Sequence, residues 1–77
     1  NNVVIYPVPA KDILNILTNS KVEIKVHDIS GKLVIHVKER YTIAGLNQLN
    51  VSNLQSGVYN FTITCDNNTV TRQVVKQ

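Results

Sequence analysis

Tryptophan and methionine are absent from this 77-residue sequence, and cysteine occurs once, at Cys65. A lone thiol excludes an intramolecular disulfide and a cysteine-built metal site, so stability must come from packing. No apolar run approaches the ~20 residues that a membrane-spanning helix needs. The opening NNVVIYPVPAK lacks the basic and apolar regions of a signal peptide, so any export signal is expected upstream, in a longer precursor. Clusters of charge are missing as well. Lys11, Lys21, Lys25, Lys32, Lys38, Arg40, Arg72 and Lys76 stand singly, and with five acids they leave a net charge of +3. That is a solvated surface, without the basic stripe and exposed stacking aromatics that nucleic-acid binding requires. Three glycines build no phosphate loop.

What is present is alternation. A hydrophobic content of 43% against 17% charge suits a folded domain, and the length suits a single domain with a thin core. Short segments of period two follow one another: VVIY (3–6), stopped by Pro7 and Pro9; DILNIL (12–17); KVEIKVHD (21–28); KLVIHVKE (32–39); QLNVSNL (48–54); VYNFTITC (58–65); and TVTRQVVKQ (69–77). The segment RYTIAGLNQ reads as loop and DNN as a turn. With no helical period longer than a turn, the pattern predicts an all-β fold, a seven-stranded antiparallel immunoglobulin-like β-sandwich.

Within it, the Ser30-Gly31 step suits a tight hairpin turn. Pairing Asp28 with Leu33 would set Val26 opposite Ile35, Ile24 opposite Val37 and Glu23 opposite Lys38. Val22, Ile24, Val26, Leu33, Ile35, Val37, Tyr59, Phe61 and Ile63 are then the expected core, and Val34 faces water. In NLQSGVYNFTIT (53–64), Gly57 can take a positive φ at little cost, Leu54 can drop into the core, and Tyr59 can bond back to the loop as in a tyrosine corner. Arg72 falls on the inward face between Val70 and Val74, and must snorkel at an edge or mark a bulge.

Residues able to do chemistry do not assemble. His27 and His36 are expected as diagonal surface neighbours with no further ligand, since Lys25, Val34 and Lys38 surround them. Cys65 continues the inward series of Tyr59, Phe61 and Ile63, with no histidine placed as its base. Asp12, Asp28, Glu23, Glu39 and Asp66 fall in turns or on wet faces. No catalytic, metal or cofactor site is therefore predicted. Glycosylation tripeptides begin at Asn50, Asn60 and Asn67, but Asn- and Thr-rich strands produce them readily.

Taken together, YPVPAKDILNI, VEIKVHDISGKLV, LNVSNLQSGVYNFTI and VTRQVVKQ resemble the C-terminal sorting domain of type IX secretion cargo in Bacteroidetes. The likeness covers nearly the whole chain, in order and spacing. It implies an immunoglobulin-like sandwich at the end of a larger secreted precursor, with no enzymatic activity. Such a domain carries its cargo from the periplasm through the outer-membrane translocon to the cell surface or the medium, and is then usually removed by a sortase-like cysteine peptidase. The resemblance places a leading motif on Tyr6, Pro7, Pro9, Ala10 and Asp12, a hairpin motif on Gly31 and Lys32, a corner on Leu54, Gly57 and Tyr59, and a terminal motif on Val75 and Lys76. Val8 stands where the family usually has Asn. Lys76 and Gln77 are expected outside the core, open to a partner. The other reading is an immunoglobulin-like accessory module that binds carbohydrate or protein; a sugar platform would have only Tyr6 and Tyr41 to use.

Overall fold

Seven strands form among the described residues: β1 (Val4–Tyr6), β2 (Ile13–Leu17), β3 (Val22–His27), β4 (Leu33–Arg40), β5 (Leu46–Asn50), β6 (Gly57–Cys65) and β7 (Asn68–Lys76). The computed structural model describes residues 3–18, 21–40, 45–65 and 68–77, and for residues 39 and 40 the main chain alone. Asp66, Asn67 and Tyr41, and the Glu39 side chain, lie outside the described residues.

The strands make two antiparallel sheets, one of order β1-β2-β5 and one of order β4-β3-β6-β7. Alternation explains which faces meet. Val22, Ile24 and Val26 of β3 and Tyr59, Phe61, Ile63 and Cys65 of β6 are buried, and Leu14 and Ile16 of β2, Leu49 of β5 and Val51 just beyond it oppose them. Each such aliphatic side chain contributes roughly 1.5–3 kcal/mol by leaving water, so this shared layer holds the sandwich together. Both bonds preceding proline, Tyr6-Pro7 and Val8-Pro9, are cis.

The β3–β4 hairpin departs from the expected pairing by one residue. Asp28 N donates to Lys32 O and Gly31 N to Asp28 O, so the loop has three residues and ends in Gly31 at φ 91°. A three-residue loop of this kind closes one residue early. The ladder corrects itself at once: His27 faces Leu33, Val26 faces Ile35 and Ile24 faces Val37, with a register shift between Val26 and His27. Val34 is the extra residue of that bulge. It turns toward the core and packs there, while Leu33 is left 45% exposed. The expected burial of Leu33 and the expected wet position of Val34 are thus both reversed by the bulge. Ile35 and Val37 pack against the core from its margin. A second shift, between Val22 and Ile24, leaves Glu23 against two residues of β4, 38 and 39, and its carboxylate bonds His36 at 2.7 Å.

The fifth strand also begins earlier than alternation suggests, at Leu46, and ends at Asn50, where residues 51–56 turn the corner. Its inward face holds Asn47 and Leu49. A polar residue in the core series hides the period. Gly45, just before it, has φ 76°, and a Cβ there would run into the main-chain carbonyl of Thr18; Thr18 N in turn donates to Gly45 O at 2.8 Å. Only glycine permits two backbones to approach so closely.

Candidate recognition site

The registers bring four separated sequence stretches to one end of the sandwich. In the larger sheet His27 faces Asn60 and Gly57 faces Lys76, so the β3–β4 turn, the start of β6 and the end of β7 share that end. In the smaller sheet Tyr6 faces Asn15 and Ile13 faces Asn50, so the end of β1, the start of β2 and the end of β5 share it too. Three contacts tie the pieces. Val51 N donates to Asp12 O at 2.8 Å, Ala10 N to Val75 O at 2.7 Å, and Gln77 N to Ala10 O at 2.8 Å. Ala10 and Lys76 therefore pair in parallel, and Lys76 lies between Gly57 of β6 and Ala10.

Each predicted site residue can now be placed. Tyr6, Pro7, Pro9 and Asp12 are exposed along the leading segment, and Ala10 is buried where it meets β7. Gly31 and Lys32 are exposed in the hairpin loop. Asp28 builds that loop: its Oδ1 accepts from Ser30 N at 3.0 Å, Ser30 Oγ at 2.7 Å and Lys32 N at 2.9 Å. The Ser30 hydroxyl, followed by the Lys32 and Ser30 amides, holds the Asp28 carboxyl below the usual carboxylate range. Glu23 is lowered likewise, chiefly by its hydrogen bond to His36 and then by the nearby Lys25.

At the corner Leu54 is half-buried and packs against the core, Leu54 N donates to Val51 O, and the buried Tyr59 donates its hydroxyl to Gln55 O at 2.7 Å. This is the back-bond of a tyrosine corner, a scaffold contact. Gly57 has φ 158°, and a Cβ there would meet nothing within 4 Å. At the end of β7, Val75 is 43% exposed, whereas Lys76 is only 8% exposed and its Nζ donates to Gln77 O at 2.7 Å. The expectation that Lys76 lies outside the core is overturned. Its stem is covered because Ala10, distant in sequence, closes over that edge.

The sites weighed for other chemistry stay apart. His36 is engaged with Glu23, and His27 sits at the hairpin, facing Leu33 and Asn60. Cys65 is buried. Among the described residues no three His, Cys, Asp or Glu side chains gather where they could hold a metal ion, and no helix is long and apolar enough to cross a membrane. Of the glycosylation tripeptides, Asn50 is exposed with its carbonyl taken by Ser52 N and Oγ, Asn60 is half-buried in β6, and Asn67 lies outside the described residues. Arg72 faces Phe61 without any register shift in β7, so of its two options it takes the edge position, without a bulge.

The chain is a small two-sheet sandwich that gathers several separated sequence motifs at one end. Residues 4–77 match the family described as the secretion system C-terminal sorting domain, and the chain belongs to that family. No curated protein matches it. The domain is a sorting signal for type IX secretion, working with that machinery in export across the outer membrane to the cell surface or the medium, and its family is not known as an enzyme.

Proposed function

We propose that the chain is the single sorting domain of a larger secreted precursor, and that the outer-membrane translocon reads it at the end where its four motifs meet. The convergence of Tyr6–Asp12, Gly31–Lys32, Leu54–Gly57 and Val75–Lys76 is the observation that carries this reading. Loops and strand ends are the parts of a sandwich that vary without disturbing the core, so residues shared at one end suit a common reader. Within the motifs the work divides. Ala10, Leu54, Tyr59 and Lys76 hold the end together, and Tyr6, Pro7, Pro9, Asp12, Lys32 and Val75 present it.

The domain acts by being bound, not by catalysis. Cys65 is inside the sandwich, and its ladder neighbours are Val22 and Asn68, so no histidine is paired with it as a base. After passage from the periplasm a sortase-like cysteine peptidase removes the domain, and the cargo upstream is anchored or released.

The test is delivery of a fused reporter in a host that carries the type IX machinery. One variant combines Tyr6→Ser, Lys32→Glu and Val75→Ser at the motif end; a second combines Val4→Ser and Leu46→Ser at the opposite end. Both keep the core, which thermal melting checks. The first should hold the reporter in the periplasm and the second should deliver it. Equal delivery by two folded variants would move recognition away from this end, and delivery without the domain would end the sorting reading.

A further inference from the structure

β7 is the outer strand of the larger sheet, and its free side has an unusual composition of backbone and charge. Val75 O and Gln77 N both point to Ala10, so the odd-numbered residues of β7 direct their main-chain groups away from β6. The β6–β7 ladder runs from Gly57–Lys76 to Cys65–Asn68 without a shift. In an antiparallel ladder that parity persists, so Thr69, Thr71 and Gln73 also turn their N–H and C=O groups outward, and no described strand lies on that side. The other edges offer less. β4 carries two register shifts, β1 has three residues before Pro7, and β5, LNQLN, offers no charged side chain.

Arg72 supplies the second observation. Its position in the inward series between Val70 and Val74 suits an apolar residue, yet it is exposed. Its guanidinium reaches around the strand, with Nη1 donating to Thr71 O at 3.3 Å, one of the outward carbonyls. An open edge strand is a template for another strand, and Ala10 already uses the last part of this one. We propose that the outer edge of β7 from Thr69 to Gln73 accepts an extended protein segment that carries an acidic side chain. The amides and carbonyls supply the ladder, as in strand addition generally, and Arg72 leaves Thr71 O to pair with the acid.

A second copy of the chain is the poorer occupant. The strand NTVTRQVVK contains no acid, so two β7 edges laid antiparallel offer Arg72 no partner and bring the two arginines near each other. The edge runs away from the motif end, and the proposal stands or falls separately from the export reading.

The experiment titrates the isotope-labelled 77-residue chain with a synthetic peptide of alternating Thr and Val, as long as β7, bearing a central Glu, and with its central-Lys counterpart. The Glu peptide should shift and protect the amides of Thr69, Thr71 and Gln73, and the Lys peptide should bind roughly tenfold more weakly. Arg72→Glu, an exposed change that spares the core, should reverse the preference. Shifts confined to other strands, equal affinity for both peptides, or concentration-dependent pairing of β7 with β7 in place of peptide binding would each overturn the proposal.

Discussion

The Tyr59 hydroxyl donates to the Gln55 carbonyl across four residues, at 2.7 Å, and so pins the corner loop to the strand that follows it. Tyr59→Phe keeps the ring in the core and removes only that bond. Because Gln55 is exposed and water can replace the lost donor, the cost should be about 1 kcal/mol. Urea denaturation of the two proteins measures it; equal midpoints would show that the corner is held by packing alone.

The glycines flanking β5 and β6 separate two kinds of constraint. Gly45→Ala puts a methyl into the Thr18 carbonyl at a positive φ, and the two main chains must part. The expected loss is over ~2 kcal/mol. At Gly57 an added Cβ meets no neighbour, so the cost of Gly57→Val comes mainly from backbone strain, about 1 kcal/mol. Thermal melting of both variants should rank Gly45→Ala below Gly57→Val, and the opposite order would contradict the close approach.

Acid should loosen the hairpin. Asp28 and Glu23 have carboxyls held below their ordinary values when folded. Their contribution is therefore present above the unfolded carboxylate range near about 4, and is lost as pH falls through the lower folded values. Melting temperature should fall with pH in that window. Asp28→Asn should flatten the fall, and an unchanged slope would mean that the Ser30 and Lys32 bonds do not distinguish the charged form.

Removing Lys76 and Gln77 should destabilise the fold. The deletion takes away a covered lysine stem, the Gln77–Ala10 bond and the Lys76 pairing with Gly57. The loss should be about 1–3 kcal/mol, which reverses what the chain alone suggests. Lys76→Met, which keeps the stem and loses the ammonium, should retain most of that stability. Denaturation midpoints decide; a truncated chain as stable as the parent would show the Ala10 bridge to be energetically idle.

The contrast between what was and was not legible has a common physical origin. β3 and β6 lie in the middle of one sheet, with one face in the core, and their alternation is unbroken, so Ile24, Val26, Phe61 and Ile63 read correctly. Leu33 and Val34 did not, because the loop is one residue shorter than the pairing of Asp28 with Leu33 requires, and a bulge that flips them restores the register. β5 was shortened at its start by Asn47, a polar residue on a buried face. Lys76 was misplaced because its cover, Ala10, is distant along the chain. The resemblance names its motif residues one by one, but their meeting at one end is a property of topology, which no local pattern carries.

The pairing of β7 beside β6 also orders events in time. Synthesis reaches Asn68–Lys76 after the other six strands, and until then β6 has one side of its ladder open and Ala10 has nothing to close against. A nascent chain that stops short therefore shows an unfinished sheet with Phe61 and Ile63 near a bare edge. Completion of β7 closes that side of β6 and gives Ala10 its partner, so the strand that ends the ladder forms only on a chain whose other six strands have already been made.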